Sequence, residues 1–253
     1  MTFAAYPSLA GRAVFVSGGA TGIGADIVRA FARSRARVAF VDLQRQEGEA
    51  MAAEMKSAGG MALFLSCDVT DVSALQARIA EARAKLGPIA VLVNNAANDE
   101  RHAVAEVTAD YWDRAQNVNL RHHFFAAQAV HPHMRELGFG SIINLSSIAW
   151  RGAADMPAYS AAKAGIIGLT HALARAFGSD NIRVNAIEPG AVMTDRQRRL
   201  WYKTPVSVDA IVQRQSIKAA LLGEDIARMA LFLAADDSRM VTKQAIAVDA
   251  GLR

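Results

Sequence analysis

The sequence predicts an α/β fold, a single-domain Rossmann-type doubly wound parallel sheet of about seven strands with helices on both faces. Three observations predict it. Short runs rich in Val, Ile and Phe alternate along the chain with alanine-rich amphipathic segments. The runs are apolar throughout rather than at every second residue, as strands buried on both faces require. Strands joined through helices need crossovers, and right-handed crossovers wind such a sheet outward from its middle.

Arg12–Ser17 (RAVFVS) is the first strand and Gly22–Arg33 the first helix. Arg37–Asp42 (RVAFVD) and Gln44–Ser57 repeat the pair, as do Met61–Ser66 and Asp71–Leu86. Ile89–Asn94 (IAVLVN) is the fourth strand, followed by helical stretches Glu106–Gln116 and Asn119–Leu137. Ser141–Leu145 (SIINL) is the fifth strand and Met156–Phe177 a long helix. Ile182–Ile187, a helix at Glu224–Ala235 and a last strand at Gln244–Asp249 complete the pattern. Met51, Met55 and Met61 read as core, and His131 and His133 flank Pro132 on a helix surface. No linker, low-complexity tract or repeat divides the chain. Residues 1–253 read as one domain, with an irregular substrate-loop insertion at about 191–222.

Hydrophobic residues at 52% and charged residues at 21% suit a globular enzyme and exclude a disordered chain. A net charge of +4 is modest, and the one basic cluster, Arg196, Arg198, Arg199 and Lys203, reads as a solvated helix face rather than a nucleic-acid site. Cys67 is the only cysteine, so no intrachain disulfide forms and a reducing compartment is expected. Met1–Pro7 lacks the basic and apolar regions of a secretory leader, and no apolar run reaches the roughly 18 residues of a membrane span. A cytoplasmic protein is expected. No His, Cys and Asp grouping has metal-ligand spacing, so no metal is expected, and no serine sits in a Gly-x-Ser-x-Gly elbow.

Chemistry concentrates in a few stretches. Ser17-Gly18-Gly19-Ala20-Thr21-Gly22-Ile23-Gly24 lies between the first strand and first helix. Glycines there permit a tight turn and a close approach to a pyrophosphate, which the N–H groups of a helix N-terminus then hold. The second strand ends in Asp42, about 20 residues on, as a dinucleotide fingerprint requires. A carboxylate there accepts from both ribose hydroxyls of NAD and repels the 2′-phosphate of NADP. NAD is therefore favoured over NADP, although Arg45 stands near enough in sequence to reach a phosphate. Tyr159 and Lys163 open the long helix four residues apart, on one face. A phenol titrates at about 10 in water, and a cation beside it stabilises the phenolate and brings that value toward neutrality.

With these motifs in this order, the chain resembles a short-chain dehydrogenase/reductase over essentially its whole length. The family's Thr-Gly-x-x-x-Gly-x-Gly turn is matched with Ser17 in place of threonine, and its adenine-holding Asp-Val pair by Asp68-Val69. Its Asn-Asn-Ala-Gly stretch becomes Asn94-Asn95-Ala96-Ala97, with the glycine lost. Its Pro-Gly pair is Pro189-Gly190, and its nicotinamide-contacting threonine is Thr194. The resemblance implies cofactor contacts at Ser17, Gly18, Gly22, Ile23, Gly24, Asp42, Asp68, Val69, Asn95, Ala96, Pro189, Gly190 and Thr194, with Tyr159 and Lys163. It also implies a catalytic set of Tyr159 as acid/base, Lys163 lowering its pKa and holding ribose, a serine, and Asn119 beside a relay water. The register of SIINLSS makes that serine Ser147, whereas the family's usual interval back from the tyrosine gives Ser146; strands hold register better than loops, so Ser147 leads and Ser146 stands in reserve.

At the substrate end, Asn98–His102, Tyr111–Asp113, Asn119–His122, Ser147–Trp150, Thr194–Gln197 and Trp201-Tyr202 resemble the bacterial aldose 1-dehydrogenases. That implies oxidation of a monosaccharide at its anomeric carbon, with Asn98, Arg101, His102, Ser147, Trp150 and Trp201 as substrate residues. His102 and Trp150 read equally well as packed loop residues. Thr204–Leu222 departs from the resemblance, as does Lys243, which stands where the family has glycine. Family members form homotetramers through their long helices, and the small residues Ala161, Ala164, Gly168 and Ala172 suit either that contact or internal packing. The alternatives are a carbonyl or 3-ketoacyl-type reductase, which predicts NADPH and a more apolar loop, and a non-catalytic cofactor-binding protein.

Overall fold

Five consecutive buried residues, Ala13–Ser17, form strand β1 near the middle of a seven-stranded parallel sheet in a computed structural model of the chain, which describes residues 3–252. Of the stretch Met1–Pro7, read as lacking a leader, Met1 and Thr2 lie outside the described residues. The elements follow as α1 Gly22–Arg33, β2 Arg37–Asp42, α2 Arg45–Ser57, β3 Met61–Ser66, α3 Val72–Leu86, β4 Ile89–Asn94, α4 Ala109–Gln116, α5 His122–Leu137, β5 Gly140–Leu145 and α6 Pro157–Ala176. Then come β6 Ile182–Pro189, α7 Asp195–Leu200, α8 Pro205–Arg214, α9 Gly223–Ala234 and β7 Ala245–Val248. The strand order is β3-β2-β1-β4-β5-β6-β7. Chain direction across the sheet reverses between β1 and β4, and that reversal opens a crevice at the strands' C-terminal ends.

Every residue of β1, β4 and β5 is buried, which is why their sequences are apolar without alternation. One face of the sheet packs on α1, α2 and α9 around Val14, Phe31 and Phe40, and the other on α3, α5 and α6 around Phe15, Leu92 and Ile142. Each such fully buried side chain contributes about 1.5–3 kcal/mol of transfer free energy. β3 is an edge strand, and Met61 at its start is 51% exposed, so it leaves the core while Met51 and Met55 stay in it. His133 also departs from its expected surface position. It is buried beside Val130 and Met134, while His131 reaches out to Asp180 at 2.6 Å.

Two local differences shape the crevice. The expected break between the helical stretches around residue 117 is a π turn, Asn117–Arg121, that carries α4 into α5 without a loop. The insertion after β6 is not irregular. It holds α7, capped by the Thr194 hydroxyl accepting from the Gln197 N–H, and α8, capped by Thr204 with Pro205 at its first position. No helix among the described residues is long and apolar enough to cross a membrane.

Candidate active site

The β1–α1 turn is built around glycine for steric reasons that the structure makes explicit. Gly18 has φ +68°, and a Cβ on it would lie 2.8 Å from the Ala96 Cα. A Cβ on Gly24 would lie 1.8 Å from the Gly18 carbonyl oxygen. No side chain caps α1, so the first-turn N–H groups of Gly22, Ile23 and Gly24 face the crevice uncapped, the arrangement that receives a phosphate. Ser17 lies beneath this turn rather than in the crevice wall. It is fully buried, and its hydroxyl accepts from the N–H groups of Asn95 (3.0 Å) and Ala96 (3.1 Å). The Asn95 amide in turn donates to the Ser17 and Gly18 carbonyls at 3.2 and 2.8 Å. A hydroxyl at position 17 thus fastens β4 to the turn.

Around the turn lie Asp42, Asp68, Val69, Asn95, Ala96, Pro189, Gly190 and Thr194, all in the wall of one cleft of about 1120 Å³. The Asp42 carboxylate accepts from the Ala20 and Gln44 N–H groups, both at 3.0 Å. Glu47 joins it in the wall, whereas Arg45 is exposed outside it. Asp68 accepts from the Thr70 N–H and hydroxyl at 2.8 and 2.7 Å, which fixes the loop after β3. Ala97 has no positive φ, so the missing family glycine introduces no backbone strain. The glycine turn and acidic ribose corner fit a nicotinamide dinucleotide.

At the other end of the cleft stand Ser147, Tyr159 and Lys163. Pro157 opens α6 and places Tyr159 and Lys163 one turn apart, with the Lys163 Nζ 5.3 Å from the Tyr159 ring centroid. Lys163 is buried and donates to the Leu145 carbonyl at 2.8 Å. Burial pulls its pKa down to about 7, against a weaker upward push from Asp99. Tyr159 shifts the other way. Burial and then the Asp99 carboxylate push its phenol well above the ordinary value, while a hydrogen bond with Ser147 opposes them. Burial is thus the largest influence on both groups, and on the phenol it runs against the lowering by Lys163 that the resemblance implies.

The two serines take different positions. The Ser146 hydroxyl is buried and donates to the Lys163 carbonyl at 2.7 Å, whereas Ser147 faces Tyr159 and accepts from the Ala149 N–H at 3.1 Å. Asn119, in the π turn, has its amide committed: it accepts from the Asn98 N–H at 2.9 Å and donates to the carbonyls of Asn98 (3.1 Å) and Ala115 (2.9 Å).

Among the expected substrate residues, Asn98, Arg101 and Ser147 line the cleft, and His102, Trp150 and Trp201 do not. Both His102 nitrogens are used internally: Nδ1 meets the Tyr111 hydroxyl at 2.8 Å, and Nε2 accepts from the Ala158 N–H at 3.3 Å. Trp150 lies under the Arg151 guanidinium at 4.4 Å, and Trp201 under that of Arg101 at 4.1 Å, so each indole supports an arginine. The wall instead includes Asp99, Arg151, Asp155 and Tyr202. Arg101 pairs with Asp155 at 2.9 Å, and Arg151 with buried Glu188 at 2.6 Å. Asp99 and Tyr202 fall inside stretches that carry the resemblance, whereas Arg151 and Asp155 offered only their charge and their place near such stretches. Among the described residues, no group of three or more His, Cys, Asp or Glu side chains is gathered as for a metal.

Known proteins resemble the chain along nearly its whole length. A family model described as enoyl-(acyl carrier protein) reductase matches residues 18–253. The chain is 50% identical to a probable galactose dehydrogenase of Rhizobium meliloti, over 98% of this chain and 97% of that one. It is 44% identical to the D-xylose 1-dehydrogenase of Caulobacter vibrioides over the full length of both. A blue fluorescent protein from a metagenomic library, solved in complex with NADPH, superposes with a TM-score of 0.89 at 35% identity, covering 97% of this chain and 99% of that one. The chain belongs to the short-chain dehydrogenase/reductase family.

Proposed function

We propose that the protein is an NAD-dependent sugar 1-dehydrogenase, which removes hydride from the anomeric carbon of a monosaccharide and releases an aldonolactone. The observation that carries this reading is one continuous cleft, with a glycine turn and Asp42 at one end and Tyr159, Ser147 and a polar wall of Asn98, Asp99, Arg101 and Asp155 at the other. That wall suits a polyhydroxylated ligand and not an acyl chain. The two relatives with sugar substrates in their names, at 50% and 44% identity, support the same choice. Asp42 and Glu47 in the ribose corner, with Arg45 outside it, support NAD over NADP.

A bound nicotinamide dinucleotide supplies the hydride acceptor and a positive charge. Tyr159 takes the proton from the anomeric hydroxyl through its phenolate oxygen. Ser147 holds that phenol and the substrate oxygen in line, which is why its hydroxyl and not that of Ser146 carries the role. Lys163, tethered to the Leu145 carbonyl, offers its remaining ammonium protons to a ribose and its charge to the phenolate. Asn119, fixed in the π turn by its bonds to Asn98 and Ala115, stands where the resemblance implies a relay water that carries the proton to solvent. Residues 1–253 act as one domain, and the segment at about 191–222 covers the substrate. We read the protein as a cytoplasmic homotetramer that pairs α6, because Ala161, Ala164, Gly168 and Ala172 all lie on that helix's exposed side.

The test is the rise of reduced-nicotinamide absorbance with a panel of aldoses and both cofactors. Turnover with at least one aldose and a preference for NAD are expected; no signal with any sugar refutes the substrate class. Tyr159→Phe should cut kcat by roughly 10²–10⁴ with NAD affinity nearly unchanged. Wild-type rates in that variant would overturn the assignment.

A further inference from the structure

The loop after β4 is clamped from two sides. Asn119 bonds both the N–H and the carbonyl of Asn98, at 2.9 and 3.1 Å. From above, α7 grips the same loop. Arg196 Nη2 donates to the Asn98 side-chain oxygen at 2.9 Å, and Arg196 Nε to Asp99 Oδ1 at 3.2 Å. The Gln197 amide donates to the second carboxylate oxygen, Oδ2. Asp99 is thus held at both oxygens, with its side chain only 20% exposed. It shares its cleft with Tyr159 and Lys163.

We propose that Asp99 is a positioning residue of this site: the carboxylate that α7 grips is the anion set against Tyr159 and Lys163, so the clasp that holds the substrate wall in place also sets the charge balance of the reacting pair. After burial, Asp99 is the charged group that acts on each of the two. Arg196 on α7 offsets the carboxylate directly. Tyr202, beyond α7, also feels Asp99, along with Arg101, Arg214 and Asp155. Behind Lys163 lie His122 and His123 of α5, both held neutral by burial. An anion paired with Arg196 of α7 links the substrate wall to proton transfer, because loss of that pairing strengthens the field on the phenol.

Two substitutions on one clasp separate this role from a structural one. Asp99→Asn keeps the shape and an acceptor oxygen but removes the charge, and Arg196→Met breaks the grip while leaving Asp99 anionic. With NAD and whichever of D-galactose and D-xylose turns over faster, both limbs of the kcat/KM–pH profile should move to lower pH by roughly 1 unit in Asp99→Asn. Both should move to higher pH in Arg196→Met. A clasp that only shapes the wall would raise KM in both variants and leave the limbs in place. Fixed limbs, or shifts of the same sign in the two variants, overturn the proposal. A readout without turnover is the pH dependence of melting, in which the Lys163-linked rise should begin at lower pH in Asp99→Asn, and an unmoved onset also overturns it. The inference rests on Tyr159 as the acid/base group. An active Tyr159→Phe would sink that reading itself, whereas an inactive Tyr159→Phe with unmoved limbs would sink only the role of Asp99.

Discussion

Replacing Lys163 with methionine should make the protein more stable and leave it inactive. The wild-type ammonium is buried, with its pKa drawn from 10.5 to about 7 chiefly by desolvation. For a cation with a lowered native pKa, the unfolded chain binds the extra proton between those two values. Stability therefore rises with pH from about 7 to about 10.5, and below about 7 the full cost of the buried charge applies. At about 1.4 kcal/mol per unit, the ceiling is roughly 5 kcal/mol. Methionine is of similar length and apolar, but it abandons the hydrogen bond to the Leu145 carbonyl, which returns about 1–3 kcal/mol. A net gain of about 2–4 kcal/mol remains at neutral pH, or roughly 4–16 °C in Tm for a chain of this size. Thermal melts followed by far-UV circular dichroism across pH 6 to 10, at about one-unit steps, test both magnitude and sign. The advantage of Lys163→Met should be largest at the acid end and shrink as pH rises. A variant no more stable than wild type, or one that keeps the wild-type slope, would refute the view that Lys163 is a desolvated charge retained for chemistry.

Three further outcomes follow from particular positions. Lys243 holds φ +62°, where the left-handed backbone disfavours a side chain, so Lys243→Gly should gain up to about 1 kcal/mol and raise Tm by roughly 2–4 °C. Unchanged or lower melting would mean that the lysine side chain contributes contacts worth more than the strain. Gly24→Ala puts a methyl into the Gly18 carbonyl, so NAD affinity measured by fluorescence quenching should fall at least tenfold, or the protein should lose its folded circular dichroism. His122 is fully buried and pulled down to about 3 by desolvation, with the neighbouring Lys163 charge adding to it. Its depressed value makes stability complete above about 6.5 and progressively lost as pH falls toward 3. His122→Leu should flatten the acid side of the Tm–pH curve, and an equally steep decline would reject the histidine as its source.

The sheet was legible because its strands are buried on both faces, which leaves no ambiguity of period. β1, β4 and β5 show this in unbroken apolar runs. At the edge strand β3 the bounds Met61–Ser66 were legible too, but Met61, expected in the core, is mostly exposed because no strand among the described residues covers that edge. The segment after β6 was read as irregular although its helix starts were in view. Thr194 and Thr204 cap α7 and α8, and Pro205 fills a first helical position. Their helices are six and ten residues long, too short for apolar periodicity to mark.

The site divides along a different line. Glycines and the Tyr159–Lys163 pair were legible because their roles are set by backbone conformation and by spacing along one helix, both local properties. His102, Trp150 and Trp201 carry suitable chemistry, but a side chain's capacity to bind a ligand is what remains after its internal bonds are made. His102 spends both nitrogens on Tyr111 and Ala158, across 9 and 56 residues of sequence. The two indoles lie under arginines. The same accounting separates Ser146 from Ser147, neighbours with one chemistry and opposite commitments, one to the Lys163 carbonyl and the other to Tyr159. It also brings Asp99 forward. Its carboxylate is held by groups 97 and 98 residues away, so no local window could distinguish it from the exposed Glu100 beside it. Charge at a buried site is a property of partners, and partners at that separation are assigned by the fold.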